Sequence, residues 1–265
     1  MPDAVAEYAQ HRTATDRWAL ARFVVPLTRW NELRSSIDGV HNDGEPWPVS
    51  LVAGPTDFDR IADTRQESRL SVQAVECKVS AADDVSTAGR IIALGMELFV
   101  EPAQLSAFDD IAPHIARVGA YAKIRTGGVT PDAFPSPQQV LNFVLSCKEA
   151  GIRFKATAGL HHAVRGEYRL TYEPAAPTGE MFGFLNVVVA AALVWHNRSR
   201  ASALAVLEER SMDEFTFTDD GIAWRDERFS LAELDDVRSR FFAGFGSCSF
   251  REPMAEIGLE ARPRA

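Results

Sequence analysis

The sequence predicts an α/β fold of the TIM-type (β/α)8 barrel class, in one domain over residues 1–265 that begins with an N-terminal helix. Short apolar segments alternate with amphipathic helical segments from about residue 20 to residue 160, and strands that alternate with helices of this length form a parallel sheet. Charged residues also alternate with apolar ones inside several of these strands. A doubly wound open sheet is the alternative, although no glycine-rich nucleotide-binding loop follows a strand.

Six segments are predicted as strands because they are short, apolar and bounded by turn residues. They are residues 22–27, 49–53, 71–79, 96–101, 121–126 and 153–159. The sequence does not identify two further parallel strands, so we expect an irregular C-terminal third. In that third, residues 215–218 and 222–225 are predicted as a hairpin, because Asp220 and Gly221 between them are typical of a tight turn.

Polar residues mark two helices. Ser136 and Gln139 form a predicted capping box for a helix that ends at Gly151. Asn186 lies in an otherwise apolar helix over residues 184–197, where it either caps the helix or reaches the site.

Composition limits the partners and the compartment. The net charge of −9 and a pI near 5.2 argue against nucleic acid, whose phosphates require a clustered basic surface. The longest apolar run is shorter than the roughly 20 residues of a membrane span. The three cysteines, Cys77, Cys147 and Cys248, have no CxxC spacing, so we expect neither disulfides nor a zinc site. Together with the lack of a signal peptide, this predicts a cytoplasmic protein. The sequence is compatible with a homo-oligomer but does not determine the oligomeric state.

Strand parity predicts a cluster of charges inside the barrel. Successive side chains of a strand point to opposite faces, and the outer face of a barrel packs on helices. Ala122 and Ile124 therefore face outward, and Lys123 and Arg125 face inward. The same reasoning predicts these further inward-facing residues on the neighbouring strands: Glu76, Lys78, Glu97, Phe99, Glu101, Lys155 and Thr157.

Burying an unpaired ion costs several kcal/mol, so these charges must pair with one another or face a ligand-filled mouth. Most of them lie in the later half of their strands, the end at which barrel active sites lie. We therefore interpret the following as site residues: Lys123, Arg125, Lys155 and Glu101. A structural ion-pair network that plugs the barrel is the alternative, and Glu97 and Lys78 individually are interpreted as structural.

Two glycines follow the strand that carries Lys123 and Arg125. Gly127 and Gly128 would let backbone N–H groups approach an anion closely. The sequence therefore predicts a phosphate or carboxylate site at this loop, with Arg125 as a bidentate clamp. An ordinary turn before a long loop is the alternative.

A second run of small residues, 244–250, contains Ser247 and Ser249. Barrels often bind phosphate with their last loops, so this run either completes the anion site or forms a tight structural turn. Cys248 is not predicted as a nucleophile, because the sequence identifies no base beside it.

Adjacent histidines follow the sixth predicted strand. His161 and His162 could act as acid or base groups, or one of them could bind a divalent metal together with Glu76 and Glu101. Adjacent side chains diverge, so we expect at most one to take part in chemistry, with His161 preferred.

The sequence Phe-Lys-Ala-Thr-Ala-Gly at residues 154–159 resembles the Schiff-base strand of class I aldolases of the deoxyribose-phosphate type. In that family the reactive lysine ends the sixth strand in a Lys-Thr-Ser-Thr-Gly context, and a second lysine lowers its pKa. The resemblance implies these roles for Lys155 and Lys123. The sequence departs from the family pattern in one respect: Lys123 lies on the strand before that of Lys155, whereas the second lysine of the family lies on the strand after the reactive one. The other segments resemble a bacterial family distinct from these aldolases.

The leading hypothesis is an aldolase-like lyase that acts without a cofactor on a small phosphorylated or carboxylated carbonyl compound. The predicted catalytic residues are Lys155, Lys123, Glu101 and His161. The predicted substrate-binding residues are Arg125, Gly127, Gly128, Thr157, Glu76, His162, Ser247 and Ser249. Two alternatives stay open: a lyase or isomerase that depends on a divalent metal at Glu76, Glu101 and His161, and a non-catalytic barrel that binds an anionic metabolite.

Overall fold

The computed structural model describes residues 1–40, 44–130, 133–173 and 175–258. Its strands are β1 (Phe23–Pro26), β2 (Trp47–Ala53), β3 (Leu70–Val79), β4 (Glu97–Pro102), β5 (Tyr121–Arg125), β6 (Phe154–Thr157), β7 (Gly166–Arg169), β8 (Thr178–Met181), β9 (Phe215–Thr218), β10 (Gly221–Trp224), β11 (Glu227–Ser230) and β12 (Phe242–Gly246). Its α-helices are α1 (Pro2–Thr13), α2 (Trp30–Ser36), α3 (Phe58–Asp63), α4 (Ala82–Ala88), α5 (Phe108–Val118), α6 (Pro137–Glu149), α7 (Phe184–Trp195), α8 (Arg200–Glu208), α9 (Leu231–Arg240) and α10 (Arg251–Glu256).

Seven strands form one parallel sheet in the order β1-β2-β3-β4-β5-β6-β12. The α/β fold of the barrel class is confirmed, and the six predicted strands are β1 to β6. The seventh strand, β12, is one that the sequence did not identify. Within the described residues β1 and β12 are the two edges of the sheet, which is curled into a half-barrel of seven strands.

Contacts across the inner face reflect this curl. Two strands separate β3 from β6, which corresponds to about 14 Å in a flat sheet, yet Lys155 Nζ lies 2.5 Å from Glu76 Oε1. At the amino ends of the strands, Arg22 immediately before β1 lies 2.6 Å from Glu97 of β4. The inner face is therefore a hollow whose side chains contact one another across it.

The outer face of the sheet is buried under helices, as strand parity predicts. Leu98, Ala122, Ile124 and Phe154 are almost fully buried. The ring of Phe143 on α6 lies 5.7 Å from that of Phe154. Burial of this face is the main apolar contribution to holding helices against the sheet.

Between β6 and β12 the chain leaves the alternation of strand and helix. β7 and β8 form an antiparallel pair, and β9, β10 and β11 form a three-stranded antiparallel sheet. The predicted hairpin is β9 with β10. α7 and α8 pack against each other and against α6, so they extend the helical layer. No helix in the described part of the chain has the length and apolar character needed to cross a membrane.

The first helix meets the C-terminal segment. α1 precedes the edge strand β1, and its His11 ring lies 4.5 Å from the ring of Phe250, which follows the other edge strand, β12. This contact brings the chain segments at the two edges of the sheet together.

Asn186 caps α7 and does not reach the inner face of the sheet. Its Oδ1 accepts a hydrogen bond from Gly183 N at 3.1 Å. Its Nδ2 donates to Val206 O at 2.6 Å and to Glu209 O at 2.8 Å. One buried side chain thus satisfies three backbone groups and joins the start of α7 to the end of α8.

We expect Asn186→Ala to lower the free energy of unfolding by about 3 kcal/mol, because it leaves three backbone groups without their partner. Urea denaturation measures this change. Asn31→Ala is the matched control at an exposed position on α2, where the expected change is within about 0.5 kcal/mol. Equal effects of the two substitutions would contradict the assigned role of Asn186.

Candidate active site

Four charged side chains form one cluster on the inner face of the sheet. Lys123 Nζ lies 2.8 Å from Glu76 Oε2 and 2.7 Å from Glu101 Oε2. Lys155 Nζ lies 2.5 Å from Glu76 Oε1, which also accepts a hydrogen bond from Ser50 Oγ at 2.8 Å. We call Glu76, Glu101, Lys123 and Lys155 the lysine–carboxylate cluster. These four residues were predicted to converge, and they do.

The register of the sheet explains why the side chains of the cluster lie close together. Lys123 lies beside Lys155 in the pairing of β5 with β6, and Lys78 lies beside Glu101 in the pairing of β3 with β4. Each of these residues alternates with buried apolar residues that face the helices. The alternation of the sequence thus turns the charged side chains of neighbouring strands toward one hollow.

The charges of the cluster hold Glu76 ionised in spite of its burial. Burial opposes the charged carboxylate, but Lys155 and Lys123 outweigh it and lower the pKa of Glu76 to about 2. The side chain of Glu76 is only 2% exposed, so it depends on these two lysines.

The two lysines of the cluster differ. Burial opposes the charge on Lys123, but its contacts with Glu76 and Glu101 raise its pKa. Burial lowers the pKa of Lys155, and the single carboxylate Glu76 offsets this only in part. The ring of Phe99 lies 4.7 Å from Lys155 Nζ. Of the two, Lys155 is the better candidate for a neutral amine.

A pocket of about 310 Å³ opens beside the cluster at the carboxyl ends of the strands. Glu101, Lys78 and Arg125 line it, together with the loop around Phe134 and with Gln139 at the start of α6. Neither Lys78 nor Arg125 has an ion pair among the described residues, and both are exposed. The pocket therefore combines two free cations with one carboxylate of the cluster.

Gly127 and Gly128 have a packing role in addition to any part in binding. A Cβ atom on Gly127 would lie 2.4 Å from the Phe134 ring, and one on Gly128 would lie 2.6 Å from Ala133 Cβ. Glycine is therefore required here so that the loop after β5 can fold back against the strand ends and form one wall of the pocket.

The two adjacent histidines point to different partners. His161 Nδ1 lies 2.9 Å from Ser247 Oγ, whereas His162 Nδ1 lies 2.6 Å from Glu256 Oε1 and its ring stacks on Tyr168. Their divergence was predicted. The structure places both outside the lysine–carboxylate cluster.

The serines of the last loop are engaged with protein groups. Ser247 Oγ contacts His161 and accepts from Ser249 N at 3.2 Å. Ser249 Oγ accepts from Glu252 N at 3.2 Å, at the start of α10. Thr157 lies on the inner face of β6, with its methyl group beside Gly246 of β12. None of these three residues lines the pocket.

Sequence reasoning missed the partner of Cys248. Its Sγ lies 3.6 Å from His161 Nδ1 and 3.7 Å from His161 Nε2. The two residues are far apart in sequence and follow strands β6 and β12, which are adjacent in the sheet. Only the identification of β12 as the neighbour of β6 would have revealed the pair.

The alternative metal site is not assembled. Glu76 and Glu101 share Lys123, but His161 lies with Ser247 and Cys248. Over the described ranges, no group of three or more metal-ligating side chains is present. The geometry therefore gives the proposed set of Glu76, Glu101 and His161 no common coordination point.

No protein-family model matches the chain, and no curated protein matches it. Among solved structures, a mutant of FabK from Thermotoga maritima matches with a TM-score of 0.39 and 13% identity, over 62% of this chain and 50% of that chain. Nitroalkane oxidase from Streptomyces ansochromogenes matches with a TM-score of 0.32 and 12% identity, over 60% of this chain and 56% of that chain. The chain thus spans about half the length of these structures, and at these TM-scores the likeness supports no statement about its activity.

One expectation is corrected by these comparisons. The sequence led us to expect no cofactor, and the two matched structures, of a FabK mutant and of a nitroalkane oxidase, stand against that expectation. The assignment of no cofactor is withdrawn, and no cofactor is assigned in its place.

We expect Glu76→Gln to lower the free energy of unfolding at pH 7 by about 3 kcal/mol, because the lysines then lack their shared carboxylate. The pKa of Glu76 is lowered in the folded state, so its stabilisation is complete above the ordinary pKa of about 4.5 and is lost as the pH falls toward 2. Denaturation curves of the variant should therefore depend less on pH in that window.

Glu97→Gln is the matched control. Glu97 also lies on the inner face and pairs with Arg22, but about a third of its side chain is exposed, so we expect a loss of about 1 kcal/mol or less. An unchanged acid dependence in Glu76→Gln would contradict the assigned pairing.

Proposed function

We propose that the protein is an aldolase-like lyase that acts on a small carbonyl compound bearing a phosphate or carboxylate group. Lys155 is the amine that forms a Schiff base with the substrate. The observation that carries the proposal is a buried lysine with a lowered pKa, Lys155, which does not line the pocket itself but belongs to the lysine–carboxylate cluster, of which Glu101 lines the pocket together with the cations Lys78 and Arg125.

The nucleophile must be a neutral amine that a substrate can reach. Burial favours the neutral form of Lys155, and 15% of its side chain remains exposed, about twice the exposed fraction of Lys123. The adjacent charge of Lys123 acts in the same direction. This is the role that the resemblance to class I aldolases implies for the two lysines.

The anionic group of the substrate binds at the mouth of the pocket. Arg125 and Lys78 both line the pocket, and in the part of the chain that the structure describes neither forms an ion pair with a carboxylate. A planar guanidinium can hold a phosphate or a carboxylate through two parallel hydrogen bonds. With the anion held there, the remainder of the substrate extends past Glu101 toward Lys155.

The proposed cleavage of a carbon–carbon bond requires only Lys155 as the amine and Glu101 as the base. Lys155 Nζ adds to the carbonyl carbon, and the carbonyl oxygen leaves as water, which gives a protonated imine. The imine accepts the electron pair of the breaking carbon–carbon bond, while Glu101 accepts the proton of the hydroxyl group that becomes the new carbonyl. Protonation of the resulting enamine and hydrolysis then regenerate the amine.

Borohydride reduction tests the Schiff base directly. We expect pyruvate or a phosphorylated aldehyde such as glycolaldehyde phosphate to give a stable adduct on Lys155, located by peptide mass mapping, and Lys155→Met to give no adduct at that peptide. Peptide mapping separates this adduct from any on the N-terminal amine.

Lys148→Met is the matched control for this experiment. The sequence has four lysines, Lys78, Lys123, Lys148 and Lys155, and Lys148 alone lies in the helical layer, where it donates to Val194 O. Burial lowers the pKa of Lys148 as well. Trapping at Lys155 but not at Lys148 would therefore show that Schiff-base formation depends on the position of the lysine in the hollow and not on a lowered pKa alone. Anion binding without any adduct on Lys155 would contradict the lyase and favour a non-catalytic barrel that binds an anionic metabolite.

A separate prediction concerns the anion site. We expect Arg125→Met and Lys78→Met each to weaken the binding of inorganic phosphate about tenfold or more, because a hydrogen bond to a charged group contributes about 1.5–3 kcal/mol. Isothermal titration calorimetry at low salt measures this binding. Arg117→Met, on the exposed surface of α5, is the control with no expected effect, and equal losses in all three variants would contradict the site.

A further inference from the structure

A second reactive group lies at the mouth of the half-barrel, outside the lysine–carboxylate cluster. It consists of Cys248, His161, Glu252 and Tyr172, which come from the segments after β12 and β6, from α10 and from the loop between β7 and β8. We call these four residues the thiol cluster. The proposed lyase reaction does not use Cys248.

The thiol cluster has the arrangement of a nucleophile, a base and a carboxylate. Cys248 Sγ lies 3.7 Å from His161 Nε2 and 3.6 Å from its Nδ1. Glu252 Oε2 lies 3.5 Å from His161 Nδ1, which Ser247 Oγ also contacts at 2.9 Å. Nδ1 therefore faces the carboxylate and the hydroxyl group as well as the thiol, and Nε2, at nearly the same distance from the thiol, can exchange a proton with it.

Tyr172 completes the surroundings of the thiol. Its hydroxyl group lies 3.5 Å from Cys248 Sγ and donates to Glu252 Oε2 at 2.9 Å. Among the described residues, the titratable groups that face Cys248 are thus His161, Tyr172 and Glu252, one from each neighbouring segment.

The three cysteines of the chain differ in burial and in the direction in which their pKa is shifted. Cys77 and Cys147 are buried, and burial raises the pKa of Cys77 to about 12 and that of Cys147 well above its ordinary value. Burial also opposes ionisation of Cys248, but hydrogen bonds with His161 and Tyr172 outweigh it and lower its pKa. The hydrogen bond with Cys248 in turn raises the pKa of His161. Both shifts favour a thiolate beside an imidazolium.

We propose that Cys248 is a nucleophile, paired with His161 and held by Glu252, that accepts an acyl group from a thioester at the mouth of the half-barrel. This activity is independent of Lys155 and of the proposed lyase reaction. A thioester suits the site because exchange of one thiol for another conserves the bond type and needs only a proton to be moved.

The transfer step balances. Cys248 Sγ attacks the acyl carbon, the bond from that carbon to the departing sulfur breaks, and the leaving thiolate takes the proton of the His161 imidazolium. The products are an acyl group on Cys248, a free thiol and neutral His161. Neutral His161 can then take a proton from water that attacks the new thioester, which releases a carboxylic acid and restores the thiol.

The first experiment measures the rate of alkylation by iodoacetamide against pH on the folded full chain, with mass mapping of the three cysteines. We expect modification of Cys248 alone, with a midpoint below the pKa of about 8.5 of a free cysteine. His161→Gln should move the midpoint upward, and His114→Gln, which removes a half-buried imidazole on α5, should not.

The second experiment uses the small thioester S-acetyl-N-acetylcysteamine. We expect one acetyl group on Cys248, no such adduct in Cys248→Ser or Cys248→Ala, and acyl transfer slowed about a hundredfold in His161→Gln. Borohydride trapping on Lys155 should be the same in Cys248→Ala as in the wild type, so failure of the lyase proposal and failure of this one are separable.

Two carboxylates on α10 provide a matched pair. Glu252 faces His161, and Glu256 faces His162. Glu252→Gln should slow acetylation and shift the alkylation midpoint, whereas Glu256→Gln should do neither. An unmodified Cys248 in the folded wild type, or equal rates in wild type and His161→Gln, would overturn the proposal.

Discussion

The inner face of this half-barrel depends on a balance of two ammonium groups against two carboxylates. None of the four could be buried alone, because an unpaired ion in this position costs several kcal/mol. Glu76 is the centre of the arrangement, since it contacts both Lys123 and Lys155 and is almost fully buried. The strands on which these residues lie must therefore curl enough for side chains three strands apart to meet.

The same curl separates two kinds of chemistry along the strand ends. On one side, the cations Lys78 and Arg125 line a pocket together with Glu101. On the other, the segments after β6 and β12 bring His161 to Cys248. The parallel arrangement explains why both lie at the same rim: every strand of such a sheet ends at one edge, and the segments that follow the strands collect there.

The first six strands of the sheet and the lysine–carboxylate cluster could be predicted from the sequence. The contact of His161 with Cys248 and the packing role of Gly127 could not, for physical reasons. Strand parity placed Lys123 and Lys155 correctly because their neighbours Ala122, Ile124 and Phe154 leave no other way to bury the outer face. The meeting of His161 with Cys248 was missed because it depends on β12 pairing with β6 across 84 intervening residues, between Thr157 and Phe242. Local patterns carry no information about such a pairing. The role of Gly127 was also hidden, because its need for space arises from the Phe134 ring, which only the folded loop brings near.

The pairing of Lys123 with Lys155 in adjacent strands has a consequence for how the sheet assembles. A slip of β5 by one residue would turn Lys123 toward the helices and Ala122 toward the hollow, since each shift reverses the face of every side chain. Glu76 and Glu101 would then lose their common counter-ion, and the misaligned sheet would bear their uncompensated negative charge. The polar groups that equip the hollow for chemistry thereby also discriminate against wrong alignments during folding.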